Sequence, residues 1–547
     1  MFAELNVGAL EGCAYTCAPR IRTLVDRMTK HSGLAAAFAA LLWLAPAIGH
    51  ASEPNPPAEQ DKQSKDDKQE KPAIPEPKVW TSRHQIKIGG KAIDYQATTG
   101  TLMMKNEQDE PIALFGFTAY VRQGQDLRTR PIVFAYNGGP GSASAWLHMG
   151  ILGPRRAVIE DVTSNTRGPF KLVDNEYSFL DRADLVLIDP VGTGFSRPVG
   201  KAEGKQFWGV DNDIRSVSDF IVRYLGEYQR WASPKFVLGE SYGGIRTGGV
   251  TYDLLTRHNV ALNGIILVSP YLDFVTGTAG LNSDAGDANF LSTYAATAWY
   301  HKALNPQPPE LLPFLREVEQ WVDTVYHPVL YKGARATAEE RRAALEGLAR
   351  YTGVSAQYWD DANLRMDENH FLQELKRAQG VTLGRVDSRF AGGMPSRILE
   401  TTAFDPYISA VAPAVVATYN AYARGELGVV TDKKYELSAG LYKDWDLTHV
   451  PPDSNGNKIP YANVLPDISY AMTMNPKMKV LVQTGYFDLA CPYGTVKSAI
   501  DHLNITPELR RNVRIEFYEA GHMMYVHPGS MGKFSEHLKT FIDENAK

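Results

Sequence analysis

The chain has 547 residues, 44% hydrophobic and 22% charged, which is enough apolar material for a large packed core and far from the composition of a disordered chain. A formal net charge of -5 gives no clustered positive field for nucleic acid or an anionic membrane, so neither is expected as a partner. Three cysteines cannot build a disulfide framework, and no pair of them has the spacing of a zinc site, so no metal is expected.

From Leu34 to Ile48 the chain reads LAAAFAALLWLAPAI, with Arg27, Lys30 and His31 before it and Gly49, His50 and Ala51 after it. This order of basic head, apolar run and small residues fits a secretory signal. About 15 apolar residues cover about 22 Å as a helix, short of the roughly 30 Å of a hydrocarbon core. The expectation is therefore a cleaved signal peptide over residues 1–51, with cleavage after Ala51 and a secreted or periplasmic protein, and not a membrane anchor. A start at Met28 would make the signal compact, with residues 1–27 upstream of it. Cleavage removes Cys13 and Cys17 and leaves Cys491 as the one thiol, a usage that suits a bacterial periplasm. Residues 52–78 are rich in Pro, Lys, Asp, Glu and Gln, and read as a solvated, disordered linker.

From Val79 onward short alternating stretches, HQIKI, AIDYQATTG, TLMMK and ALFGFTAYV, with a Gly89-Gly90 turn, predict antiparallel hairpins at one edge of a larger sheet. Runs apolar on both faces follow: PIVFAY (131–136), DLVLID (184–189), KFVLG (235–239), GIILV (264–268), KVLVQT (479–484) and VRIEFY (513–518). Helical spacing between them, as in Ile214, Val217, Ile221, Leu225 and Tyr228, predicts a central, mostly parallel sheet with helices on both faces, hence an α/β class. The core is expected in two parts, 79–275 and 475–547. Between them, 276–474 reads as a mainly helical insertion without a second sheet, with helices over 309–326, 337–352 and 367–379. Thr337 and Glu340 match a capping box, and Gly353 matches a C-terminal cap. Topology would place this insertion as a lid over the carboxyl ends of the strands.

The chemistry concentrates at strand ends. Gly239-Glu240-Ser241-Tyr242-Gly243 follows KFVLG and precedes a helical pattern over 244–257, the context of a nucleophile elbow; the competing reading of Ser241 is a helix N-cap. A serine hydroxyl needs a general base, and the base needs an orienting carboxylate. Asp488 follows KVLVQT and His522 follows VRIEFY, both at the edge that carries Ser241; His502 and His537 sit within helical patterns and read as surface or packing residues, as does His527, which one loop further on is the competing base. After PIVFAY stands Asn137-Gly138-Gly139-Pro140-Gly141-Ser142. Glycines there let backbone N–H groups approach a developing oxyanion, with Gly139 and Tyr242 as the two expected donors. A phosphate loop is a weak reading of this stretch, which lacks both the lysine and the glycine spacing.

NGGPGS, DPVGTGFS (189–196), GESYGG, GYFDLACP and GHMMYVHP, in this order, resemble the serine carboxypeptidase family over most of residues 80–545. The resemblance implies an α/β-hydrolase fold with a helical insertion, cleavage of single residues from peptide C-termini, peptide substrates and no cofactor or metal. It makes Ser241 the nucleophile, Asp488 the orienter and His522 the base, with Gly139 and Tyr242 as oxyanion hole. Asn137, Gly138 and Glu240 fall to substrate binding, at the terminal carboxylate. Cys491 corresponds to a thiol that is often free near the site, which implies sensitivity to mercurials.

Two family positions differ. A tryptophan is replaced by Ala135, and the glutamate that pairs with the counterpart of Glu240 is replaced by Ile151. Without that like charge Glu240 has less reason to stay protonated, although burial also raises a carboxyl pKa. A pH optimum nearer neutrality and a weaker demand for a free C-terminus are expected. Arg155 or Arg156 is a candidate replacement for the lost contact. An esterase or acyltransferase on the same triad is the alternative enzyme, and a non-catalytic binding protein of the same fold is the third reading. Side-chain preference and oligomeric state are not encoded in these motifs.

Overall fold

The computed structural model describes residues 74–162, 166–280 and 283–546. The expected signal segment, its cleavage point, Cys13, Cys17 and most of the linker lie outside them. The fold described is that of the unit Lys71–Lys547. Residues 74–78 are exposed and without regular structure.

Ten strands form one sheet: β1 (Val79–Ile88), β2 (Lys91–Lys105), β3 (Pro111–Arg122), β4 (Ile132–Tyr136), β5 (Asp184–Asp189), β6 (Arg197–Pro198), β7 (Lys235–Glu240), β8 (Gly264–Val268), β9 (Lys479–Gly485) and β10 (Val513–Tyr518). Their order is β1-β2-β3-β5-β4-β7-β8-β9-β10, with β6 beside β3. The first three strands pair antiparallel, as does β3 with β5, and every pair from β5 to β10 is parallel. The hairpins are thus an antiparallel edge on a parallel sheet, as the alternating and continuous apolar patterns require.

All five residues of β4 are buried, because both faces of the sheet are covered. Val133 and Ala135 point into one apolar cluster with Phe541, while Ile132, Phe134 and Tyr136 point into another with Ile214, Val250 and Ile468. This period of two is the pleat of a strand. Covering helices on the second face are α1 (Val210–Glu227), α2 (Gly243–Arg257) and, much later in the chain, residues 465–474.

Between β8 and β9 the chain forms α3 (Asp284–Tyr300), α4 (Leu311–Trp321), α5 (Ala338–Thr352), α6 (Pro406–Gly425) and α7 (Leu465–Met474), with shorter turns among them. Thr337 caps α5 reciprocally with Glu340, and Gly353 takes the left-handed conformation at φ 71° past its end. A small antiparallel ribbon, Val381–Leu383 with Ala391–Gly393, also lies here, where the sequence pattern shows no sheet. Helices α3 to α5 bury a third apolar cluster that takes in Phe487 and Leu489, the residues on either side of Asp488. Beyond β9 come α8 (Tyr493–Asp501) and, after β10, α9 (Pro528–Asn545). Among the described residues no helix is long and apolar enough to cross a membrane.

His449 joins separate elements. Its Nδ1 lies 2.6 Å from Asp211 in the first turn of α1, and its Nε2 lies 3.0 Å from Asp467 in the first turn of α7. Burial alone would lower its pKa, but the two carboxylates outweigh it and push it up to about 9.

Candidate active site

The site is built where parallel strands end. β7 ends at Glu240 and α2 begins at Gly243, so Ser241 and Tyr242 must turn the chain between them, and Ser241 does so at φ 64°. That left-handed conformation is costly for a non-glycine residue and persists only where surroundings enforce it. The enforcement is visible: the Ser241 N–H donates to Val268 O at 3.0 Å, and its carbonyl accepts from Gly244 N at 2.8 Å and Tyr271 N at 2.9 Å. Helix and strand also touch closely. A Cβ on Gly239 would stand 2.2 Å from Gly243 O, so the glycine before Glu240 is a packing requirement of the turn.

Asp488 and His522 meet at this edge. Asp488 Oδ1 accepts the N–H groups of Ala490 and Cys491, both at 2.8 Å, and its Oδ2 lies 2.8 Å from His522 Nδ1. Three acceptor contacts hold the carboxylate in one orientation. The His522 backbone is fixed in turn, its N–H donating to Val386 O and its carbonyl accepting from Ser269 Oγ, each at 2.8 Å. Burial pushes the imidazole pKa down, yet the charge and hydrogen bond of Asp488 push it well above the usual value. Cys491 is a buried free thiol. Its Sγ, an Asp488 oxygen and a His522 nitrogen lie within 4.8 Å of one another, a donor set that could hold a soft metal ion. Burial raises the thiol pKa, with His522 pulling the other way.

The loop after β4 approaches the elbow backbone to backbone. A Cβ on Gly138 would stand 2.5 Å from Tyr242 N and 2.6 Å from Gly243 N, so only glycine fits there, while Gly139 sits at φ 105°. Gly139, Pro140, Ser241, Tyr242 and Cys491 share the wall of a cavity of about 270 Å³. Asn137 is anchored from both ends: its Oδ1 accepts from Leu147 N at 3.0 Å and its carbonyl accepts from Arg246 Nη1 at 2.8 Å. Arg246 is fully buried, pairs with Asp213 at 2.8 Å and lies over the rings of Tyr136 and Tyr242.

Glu240 is 1% exposed. Its Oε1 accepts from Asn137 Nδ2 at 2.6 Å and its Oε2 accepts from the Tyr525 hydroxyl at 2.7 Å. Burial pushes the carboxyl pKa up to about 7, against the lowering effect of His522 and of these two donors. The candidate replacement by arginine does not occur. Residues 155–157 form a ribbon with 172–174, so Arg155 pairs with Asp174 and Glu426, and Arg156 lies over the Tyr177 ring. Ile151 is buried in the apolar cluster.

The stretch 189–196 supports the loop from behind. Asp189 accepts from Ser144 N at 2.9 Å and from the Tyr435 hydroxyl at 3.0 Å, and burial lifts its pKa to about 6. The other histidines are held elsewhere: His502 contacts Ser498 O, His527 contacts Ser530 and His537 contacts Tyr518.

Sequence reasoning missed several supports. The partners of Tyr525 and Arg246 are distant in the chain, so no local pattern pairs them. Segment 385–389 is another such support: Leu489 N donates to Arg385 O at 3.0 Å, His522 N donates to Val386 O, and Gly521 N donates to Asp387 at 3.2 Å. One signal was available for Tyr525, its place inside the GHMMYVHP stretch.

Parts of this chain are similar to known proteins. The serine carboxypeptidase family model matches residues 92–333. Serine carboxypeptidase-like 36 of Arabidopsis thaliana is 28% identical over 30% of this chain and 33% of its own length. Pheromone-processing carboxypeptidase KEX1 of Saccharomyces cerevisiae is 34% identical over 21% of this chain and 16% of its own. The matched segments therefore span about a third or less of these relatives' length. The crystal structure of KEX1(delta)p, a prohormone-processing carboxypeptidase from Saccharomyces cerevisiae, superposes with a TM-score of 0.50 at 17% identity, covering 82% of this chain and 91% of that one. Over residues 92–333 this chain is similar to the serine carboxypeptidase family, and its fold is that of an α/β-hydrolase.

Proposed function

We propose that this protein is a serine-type carboxypeptidase that removes C-terminal residues from peptides through a covalent acyl-enzyme. Ser241 Oγ attacks the scissile carbonyl as His522 takes its proton; Asp488 holds the imidazole and stabilises its charged form. The oxyanion of the tetrahedral intermediate is held by the backbone N–H groups of Gly139 and Tyr242. His522 then returns the proton to the leaving amine, and water repeats the sequence to free the acid. Asn137, Gly138 and Glu240, with Tyr525 as an added member, bind the terminal carboxylate. Residues 276–474 act as the lid, and the apolar run Leu34–Ile48 directs export to a secreted or periplasmic location.

One observation carries the exopeptidase reading: a buried carboxyl with a pKa near 7, one residue before the serine and braced by Asn137 and Tyr525. In its protonated form such a group donates to a substrate carboxylate without charge repulsion. The test is hydrolysis of one N-blocked dipeptide, as free acid and as C-terminal amide, from pH 4 to 9. Cleavage of the free acid alone, lost in Ser241→Ala by on the order of a millionfold, supports it. Equal cleavage of both, or of neither while a fluorophosphonate still labels Ser241, turns the reading to an esterase or acyltransferase.

A further inference from the structure

The cavity of about 270 Å³ at Ser241 has Tyr242, Tyr271, Phe274 and Phe290 on its wall, and it also contains one ion pair, Arg385 with Glu368. Its lining includes Ser241, Gly139 and Tyr242; His522 and the Asn137–Glu240–Tyr525 group are not in it. In acyl transfer the base stands on the leaving-group side, since it must protonate the departing amine. The cavity therefore lies on the acyl side and receives the side chain of the residue before the scissile bond.

Arg385 is set there with some precision. Its backbone N–H and that of Val386 donate to Asp405 Oδ2, both at 3.0 Å, and its carbonyl accepts from Leu489 N. Its Nε donates to Glu368 Oε1 at 3.1 Å, with side-chain exposures of 43% for the arginine and 15% for the glutamate. Glu368 thus backs the Nε edge. The two Nη groups make no hydrogen bond among the described residues, and the fork they present matches a carboxylate in a bidentate pair.

We propose that Arg385 is a specificity-determining residue and that the acyl-side pocket selects an acidic side chain, aspartate or glutamate, immediately before the scissile bond. This rests on the acyl-enzyme reading of Ser241 above, but not on the bond cleaved being a peptide bond.

The experiment has two readouts. The first is kcat/KM for N-blocked dipeptides that differ only in the first residue: Glu, Gln, Leu or Lys. The second is protection of Ser241 from fluorophosphonate labelling by N-acetylglutamate against N-acetylleucine, which needs no hydrolysis. Glu is expected to exceed Gln and Leu by about tenfold, as one well-formed charged pair supplies. In Arg385→Gln the Glu-to-Leu ratio falls to near one, in Arg385→Lys it is intermediate, and in Glu368→Gln it rises. A preference for Lys, or a ratio unchanged in Arg385→Gln, overturns the proposal. Preferential protection by N-acetylglutamate, lost in Arg385→Gln, supports it even where no dipeptide is cleaved. That pattern overturns the carboxypeptidase reading instead.

Discussion

Tyr525 donates its hydroxyl hydrogen to Glu240 Oε2 at 2.7 Å, across 285 residues of sequence. A donor to a carboxylate favours its charged form, so this contact holds the Glu240 pKa down against the burial that raises it to about 7. If protonated Glu240 grips the substrate carboxylate, hydrolysis of a free-acid dipeptide falls as pH rises through that value. Tyr525→Phe removes the donor and is expected to move this alkaline limb upward by about one pH unit. The C-terminal amide has no charge to repel and should show no shift. A limb that stays in place, or moves down, assigns it to another group.

The same carboxyl links folding to pH. Its pKa is 4.5 as a free side chain and about 7 when folded, so the native state holds a proton that the unfolded chain has lost over that interval. Stability from this group is complete below pH 4.5 and declines as pH rises through 7, by about 3 kcal/mol in all. Urea midpoints at pH 5 and pH 8 measure it. Glu240→Gln, which cannot ionise, should show a smaller difference between the two.

His449 gives the opposite kind of group. Its charged form is favoured on folding, from 6.5 to about 9, so its contribution is complete below pH 6.5 and is lost as pH rises through 9. His449→Gln leaves Asp467 buried without its partner. It should lower stability by about 3 kcal/mol at pH 6 and by much less at pH 10, which thermal melts of both proteins at the two pH values would reveal.

Cys491 lines the cavity beside Ser241, so a mercurial on its sulfur would fill the space an acyl side chain needs. Inactivation by an organic mercurial is expected in the native protein, reversed by thiol, and absent in Cys491→Ser. Inactivation that persists in the serine variant would place the reactive group elsewhere.

Particular residues show what was legible in the sequence. Strands were, because a segment covered on both faces must be apolar throughout, as β4 is. Ser241 was, because the tight turn between strand and helix needs glycine two residues before it, at Gly239, where a Cβ would meet Gly243 O. Helix α3 was not: it is buried nearly all round, with Ser292, Thr293 and Thr297 among its buried residues, so no polar face marks a helical period. Nor was α6, which continues through Pro413, a residue that removes a helical hydrogen bond. The arginines near Ile151 pair elsewhere, whereas the second contact to Glu240 comes from Tyr525, whose place in the GHMMYVHP stretch does not reveal its partner.

The contact between Gly138 and the elbow, 2.5 Å from a would-be Cβ to Tyr242 N, separates two kinds of evolvability. The proposed anion-holding donors are backbone groups at the ends of β4 and β7, so no side-chain replacement tunes them; any residue larger than glycine at position 138 displaces them. Phe290, Glu368 and Arg385, by contrast, come from the stretch between β8 and β9, and each is a side chain that substitution can recast. On these proposals the reaction chemistry rests on the sheet, while the substrate preference rests on side chains outside it. A library confined to residues 290, 368 and 385 would be the economical way to redirect this scaffold towards new acyl groups.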